Sequence, residues 1–178
     1  EVELIGAPDG AYITGIGGNL VLGDLSQLQG NLFTSADDTI RITNDITTNG
    51  DSVTFQSRTL LTVSASITTA GGNVRFEDTL DSESDEYNSL TIDAGSGDVG
   101  FDGVVGADAN NYIAGDPRLG TLELAGSSGN VADVTFNDAV SLQTLNQTTG
   151  TGTTTFSGAV DTTDATTGID ITTSAISA

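Results

Sequence analysis

The densest group of metal-ligand chemistry in this sequence is an acidic run between residues 81 and 86. Four of its six residues carry carboxylates: Asp81, Glu83, Asp85 and Glu86. Carboxylate oxygens are the hard ligands that Ca²⁺ prefers, although the run lacks the central Gly and the twelfth-position Glu of an EF-hand. It predicts either a calcium site or a hydrated acidic loop, and no other cofactor is expected.

A second group of carboxylates could act as general acids and bases, the two roles that sugar-cleaving enzymes need. The candidates are Asp93, Asp98 and Asp102, or Asp133 and Asp138. The chain has no His and no Lys, so such a mechanism would depend on carboxylates alone. No acidic pair recurs at equivalent positions of neighbouring repeats. We therefore predict that the protein is not an enzyme, with a polysaccharide lyase or hydrolase as the alternative.

Recognition chemistry is richest between Gly106 and Gly120, where the sequence reads GADANNYIAGDPRLG. This segment combines the aromatic ring of Tyr112 with the cation of Arg118. Irregular segments inserted between regular elements often carry binding functions. We expect either a loop that binds a glycan or a receptor through these two residues, or a tolerated surface loop.

Composition limits the partners that such groups could serve. The 178 residues include 25 acidic and 4 basic residues, for a formal net charge of −21. A surface of this charge repels nucleic-acid phosphates and anionic membranes and attracts cations. No apolar run approaches the roughly 20 residues that a membrane-spanning helix needs. We expect no nucleic-acid partner and no membrane insertion.

A repeated phrase shows which elements position these residues. The pattern Val-x-Phe recurs four times, with a weaker fifth copy that reads Thr-x-Phe, and its aromatic members are Phe55, Phe76, Phe101, Phe136 and Phe156. Alternation with period 2 in runs rich in Val, Thr and Phe indicates strands, and no helical period is present. A unit of about 21 residues that holds three short strands predicts one coil of a β-solenoid, because fixed periods of this size are typical of stacked repeats.

The prediction is therefore an all-β protein, a single-stranded, three-faced parallel β-helix of about eight coils. Residues 1–178 form one domain, with loop insertions at about 81–89 and 106–120 where the repeat lengthens. Inward residues of successive coils should stack in columns, and the Phe residues should form an aromatic ladder. A second column has the form apolar-x-apolar and begins at residues 2, 20, 40, 61, 90, 122 and 169. A third column contains Leu60, Leu80, Val105, Val140 and Val160, and Gly30–Phe33 is read as a degenerate first copy of the Val-x-Phe wall.

Coils written as G-x-V-x-F-x-x-x-V, with intervening L-T-I-D or I-T-T-x-G segments, resemble the β-helix repeats of bacterial filamentous-haemagglutinin-type exoproteins and autotransporter-like adhesins. The resemblance extends from about Leu20 to Ile171. It implies a secreted, surface-displayed, right-handed solenoid. We therefore expect a protein of the bacterial cell surface or the extracellular space.

Both ends of the sequence read as strands. Strand edges and apolar columns at the end of a solenoid favour stacking. We predict that the contact between stacked solenoid ends, which we call the joint, is lined by Val2, Leu4, Ile169, Ile171 and Ile176. The partner would be either the flanking repeats of a longer chain or a second copy in a head-to-tail filament. The predicted function is a non-enzymatic structural role in a surface fibre or giant adhesin, and a glycan- or receptor-binding module that uses the 106–120 loop is the main alternative.

Overall fold

A computed structural model describes residues 10–23, 25–83, 86–106, 119–125, 131–163 and 168–178. These residues form twenty β-strands and include no helix long and apolar enough to span a bilayer. The strands are β1 Ala11–Gly15, β2 Leu20–Leu22, β3 Leu25–Leu28, β4 Leu32–Ala36, β5 Ile40–Ile42, β6 Ile46–Thr48, β7 Val53–Phe55, β8 Thr59–Leu61, β9 Ala65–Thr68, β10 Val74–Phe76, β11 Leu80–Ser82, β12 Leu90–Asp93, β13 Val99–Phe101, β14 Leu119–Ala125, β15 Val134–Phe136, β16 Val140–Gln147, β17 Thr153–Phe156, β18 Val160–Thr162, β19 Ile169–Ile171 and β20 Ala175–Ser177.

The strands wind into a parallel β-solenoid, as the repeat predicted. One sheet has eight strands in the order β1-β4-β7-β10-β13-β15-β17-β20, so each coil contributes one strand. A second sheet has the order β11-β8-β5-β2, and a third has the order β18-β16-β14-β12-β9-β6-β3, with β19 paired to β16. The described chain makes about seven full turns. Because every pairing is parallel and joins neighbouring coils, each coil depends on the next to bury its apolar side.

The Val-x-Phe columns stack in register along the eight-stranded sheet, which we call the Phe sheet. Val53, Val74, Val99 and Val134 face one another in turn, and so do the Phe residues. The predicted aromatic ladder is confirmed: consecutive rings from Phe55 to Phe156 lie 4.7, 5.4, 4.8 and 5.0 Å apart and within 13° of parallel. Its first four members, from Phe55 to Phe136, are buried.

The glycine of the G-x-V-x-F phrase is required by the close approach of neighbouring coils. A Cβ atom at Gly72 would clash with the backbone carbonyl of Asp51 in the preceding coil. A Cβ at Gly97, one coil later, would clash with the carbonyl of Gly72 in the same way. The glycine of the motif therefore marks a corner at which the backbones of two neighbouring coils are in close contact.

Two other predicted columns need correction. The apolar-x-apolar column combines two different sheets, because β2 pairs with β5 and β5 with β8 in the second sheet, whereas β12, β14 and β19 belong to the third sheet. The third column contains Thr59 rather than Leu60, since Thr59 is the residue that faces Leu80. The first error arises because alternation identifies an inward position without identifying the sheet to which it belongs. The second is a one-residue slip within β8, where Leu60 is apolar but Thr59 and Leu61 are the buried residues.

The predicted first copy of the Val-x-Phe wall does form a coil of the Phe sheet, but its side chains differ from those of the later copies. Leu32 faces Val53, and Thr34, which is fully buried, occupies the position of the ladder. Phe33 therefore points outward, where its ring stacks on Tyr12 at 4.7 Å. The aromatic ladder of the core begins one coil later, at Phe55.

Candidate functional site

A concave groove lies on the outer face of the Phe sheet. It has a volume of about 330 Å³ and crosses β10, β13 and β15. Its lining is polar apart from Val74 and Val99 and consists of Asn73, Val74, Arg75, Asp98, Val99, Gly100, Asp102, Asp133, Thr135 and Asn137. We call this the Gly100 groove.

The floor of the groove exists because one residue in the outward column lacks a side chain. Arg75, Gly100 and Thr135 face one another on successive coils. A Cβ at Gly100 would lie 3.8 Å from Cγ of Arg75, so the stem of that arginine lies beside the glycine in ordinary contact distance. The missing side chain leaves a depression between the arginine and the threonine.

One wall of the groove is a fixed polar chain across three coils. Arg75 donates from Nε to Oδ2 of Asp102 at 2.9 Å, and its Nη2 lies 2.7 Å from the same oxygen. Asn137 donates from Nδ2 to the other oxygen, Oδ1, at 2.8 Å. The Asp102 carboxylate therefore holds an arginine and an amide in set orientations, while the arginine side chain remains 57% exposed.

The opposite wall is part of a hydrogen-bond ladder that follows one corner of the solenoid. At each step a side-chain oxygen accepts a hydrogen bond from the backbone N–H of the equivalent residue one coil later. The oxygens belong to Asn31, Ser52, Asn73, Asp98 and Asp133, with donor–acceptor distances of 2.9, 3.0, 2.9, 3.0 and 2.7 Å, and the last donor is Thr153. This corner ladder satisfies backbone groups where the strands have not yet begun.

The groove brings together three of the five carboxylates that were considered for acid–base chemistry. Asp98 and Asp133 lie on the corner ladder, and Asp102 is paired with Arg75. The other two lie elsewhere: Asp93 is buried at the end of β12, where it accepts a hydrogen bond from the Gly95 amide, and Asp138 accepts one from the Ala139 amide. Each of the three groove carboxylates thus has an architectural hydrogen bond or ion pair. That the protein is not an enzyme stays a prediction.

The acidic run of residues 81–86 is divided between different environments. Asp81 lies within β11 and is fully buried, and Glu83 forms an ion pair with Arg41 two coils away. Glu86 is exposed and accepts a hydrogen bond from Asn88 at 3.1 Å, whereas Asp85 lies outside the described residues. Within the described ranges, no group of three or more potential ligands is placed to hold a metal ion. Calcium binding stays a prediction, and Asp81 and Ser82, at the start of the predicted insertion of about 81–89, belong to β11.

The structure describes only some of the other predicted site residues. Tyr112 and Arg118 of the 106–120 loop, and Val2 and Leu4 of the predicted joint, lie outside the described residues. At the last described coil, Ile169 is 51% exposed and Ile176 is 60% exposed, while Ile171 packs partly against the core.

Two structural features, the corner ladder and the Tyr12–Phe33 stack, were not predicted from the sequence. The corner ladder has a signal, since an Asn, Asp or Ser immediately precedes each Val of the Val-x-Phe wall. The exposed Tyr12–Phe33 stack has a weaker signal, because its recognition requires the correct register of the first copy. Comparison with protein-family models, curated proteins and solved structures finds no match to the chain.

Proposed function

We propose that the protein is a non-enzymatic structural segment or subunit of a bacterial surface fibre or giant adhesin. In this proposal it lies outside the cell and continues end to end, either into flanking repeats or into a second copy. The observation that supports it is the last described coil, in which inward-facing columns end on exposed isoleucines. The fold and the resemblance of the repeats to those of filamentous exoproteins point in the same direction.

The exposed isoleucines occupy core positions rather than ordinary surface positions. Ile176 faces the buried Thr154 and thereby extends the Val column of the Phe sheet by one coil. Ile169 faces Leu145 and extends the column that contains Leu90 and Leu122. One further coil with the same register would bury both side chains.

The strand at this end also lacks the usual protection against pairing. β20 is the outermost strand of the Phe sheet and has the sequence Ala-Ile-Ser, with neither a charge nor a proline. Natural edge strands are commonly blocked by Lys, Pro or a bulge because their free N–H and C=O groups are templates for another strand. An unblocked edge beside exposed core columns favours addition of another coil.

The energy available from the two isoleucines is substantial. Full burial of an Ile side chain contributes about 1.5–3 kcal/mol, so two half-exposed chains contribute about 2–3 kcal/mol together. Since a factor of ten in an association constant corresponds to about 1.4 kcal/mol, this is on the order of 10²-fold. The net charge of −21 opposes association of copies, and salt screens that repulsion.

The proposal is tested by negative-stain electron microscopy and sedimentation velocity of the 178-residue chain over a range of concentrations, at low and high salt. We expect unbranched filaments whose onset concentration falls as salt rises. The variant Ile176→Lys should raise that concentration at least about tenfold, because a lysine cannot be buried at the joint without cost. The matched control is Val63→Lys, since Val63 is a 41% exposed apolar residue away from the last coil.

Isolated rods at every concentration and salt would refute stacking of copies. Equal effects of the two lysine substitutions would refute the last coil as the joint. Loss of filaments on addition of a chelator, with recovery in Ca²⁺, would favour the calcium site over the hydrated loop.

A further inference from the structure

We propose that the Gly100 groove binds a neutral oligosaccharide. This is a binding activity beyond the structural role, and it uses a different part of the molecule from the 106–120 loop. It does not depend on end-to-end stacking, because every residue that forms the groove lies on the side of the rod.

The groove offers both donors and acceptors within one small space. Its volume of about 330 Å³ lies at the lower end of the range for small-molecule sites. Arg75 has N–H donors beyond those used on Asp102, and Thr135 has a hydroxyl that both donates and accepts. Asn137 keeps its carbonyl oxygen, because it contributes only its Nδ2 to Asp102. A ligand rich in hydroxyls, each of which donates and accepts, matches this mixture.

The polar side chains of the groove are held in place before any ligand arrives. Asp102 fixes Arg75 and Asn137 on one wall, and the corner ladder fixes Asp98 and Asp133 on the other. Binding therefore orders few side chains, and the conformational cost that usually weakens polar recognition is reduced.

Electrostatics favours an uncharged ligand. An anion would approach a chain with a net charge of −21 and a groove that contains three carboxylates. A cation would meet the half-exposed side chain of Arg75 on one wall of the groove, where the carboxylate of Asp102 is already paired with that arginine. A neutral, hydroxyl-rich molecule meets neither obstacle.

The same outer column provides apolar surface for a longer ligand. Residues Tyr12, Phe33, Thr54, Arg75 and Gly100 face one another in sequence along the rod. Phe33 and Arg75 are two coils apart, which is about 10 Å at the usual strand spacing. Tyr12 is 81% exposed and stacks on Phe33, so the column presents an aromatic surface next to the polar groove. Sugars combine apolar C–H faces with hydroxyl edges, and an oligosaccharide along the rod axis would use both.

The test is an NMR titration of the ¹⁵N-labelled chain at a concentration below any assembly. The probes are the neutral hexasaccharides cellohexaose, maltohexaose, mannohexaose and chitohexaose, with hexagalacturonate and spermine as charged probes. We expect at least one neutral probe to shift the backbone amide of Gly100 and the side-chain Nε–H of Arg75, and the charged probes to leave both unchanged.

The variant Gly100→Thr fills the groove with the side chain found at Thr54, Thr135 and Thr155, the equivalent positions of other coils. It should fold as the parent does, because the added Cβ meets only an ordinary contact. We expect it to reduce affinity for the neutral probe at least tenfold. Arg75→Gln should do the same, while Arg58→Gln, an arginine outside the groove lining, should leave affinity unchanged.

Three results would overturn the proposal. The first is the absence of groove shifts with every neutral probe up to about 10 mM, since a weaker site would have no useful affinity. The second is neutral-probe binding that Gly100→Thr leaves intact. The third is binding of hexagalacturonate or spermine alone, which would assign the groove to a charged ligand.

Discussion

Replacement of Phe101 by Ala should be among the most damaging single changes in the core of the rod. Its ring is buried and lies between Phe76 at 5.4 Å and Phe136 at 4.8 Å, each within 4° of parallel. Truncation of a buried Phe to Ala costs about 3–5 kcal/mol through lost transfer energy and the cavity that remains. We expect the upper half of that range, since each lost ring contact is worth about 0.5–1.5 kcal/mol beyond its buried area.

Two further Phe residues provide a graded comparison within the same sheet. Among the described residues, Phe156 has one ring neighbour, Phe136 at 5.0 Å, and it is only partly buried. Its replacement by Ala should cost about 1.5–3 kcal/mol, the sum of half a buried side chain and one ring contact. Phe33 stacks on exposed Tyr12, outside the core, and its replacement should cost about 0.5–1.5 kcal/mol.

Urea unfolding of the three variants, followed by circular dichroism at one protein concentration below assembly, measures the free energies. The expected order of destabilisation is Phe101→Ala, then Phe156→Ala, then Phe33→Ala, with an unchanged dependence on urea. If Phe101→Ala costs no more than Phe33→Ala, the ladder does not form the centre of the core and the register is wrong.

Two other predictions concern polar groups. Asp98→Ala should cost about 0.5–1.5 kcal/mol of stability, because the amide of Asp133 loses its acceptor in the corner ladder. Asp98→Asn should be at least as stable as the parent, because it keeps that acceptor and removes a like charge one coil from Asp133. Urea unfolding at low and high salt checks both, and equal stabilities of the two variants would refute the ladder. Thr154 donates to Gln147 at 2.7 Å in the buried interior, where Nε2 of Gln147 has no hydrogen-bond partner among the described residues. Thr154→Val alone should cost about 1–3 kcal/mol of stability, because it leaves the buried Gln147 without that hydrogen bond. The double variant Gln147→Leu with Thr154→Val should restore or exceed the parent's stability. A double variant no more stable than the single one would contradict this reasoning.

The Phe sheet could be predicted from the sequence because its phrase is long and distinctive. Val and Phe occupy two inward positions separated by one outward residue, and a glycine marks the corner before them. Phe101 and Phe136 could therefore be aligned although 35 residues separate them. The other two faces lack a distinctive residue type. Their Leu, Ile and Val residues satisfy the same alternation, so strands of both faces fell into one column. In β8 the apolar Leu60 was taken as the inward residue, although the buried position belongs to Thr59.

The Gly100 groove could not be predicted because it depends on neighbours that the sequence separates by 25 to 35 residues. The Val-x-Phe phrase by itself places Arg75 and Gly100 at outward positions of one column. The contact of that arginine with Asp102, and of Asp102 with Asn137, requires the side-chain directions as well as the register. The acidic run shows the opposite case, in which residues that are close in sequence lie in different environments. Proximity in sequence suggested a common site, yet Asp81 is buried in a strand while Glu83 pairs with Arg41.

The corner ladder separates two roles that one carboxylate could have in this protein. The architecture needs only a side-chain oxygen at each step, and Asn31, Ser52 and Asn73 supply it without charge. The negative charges of Asp98 and Asp133 are therefore not required for stacking, and repulsion between them opposes it. An ionised side chain at a position where a neutral one suffices points to a role at the surface, and these two residues line the groove. Asp98→Asn consequently tests that role without disturbing the rod: lost affinity for a neutral hexasaccharide in a variant of undiminished stability would assign the charge to binding, and unchanged affinity would leave it as part of the general acidity of the surface.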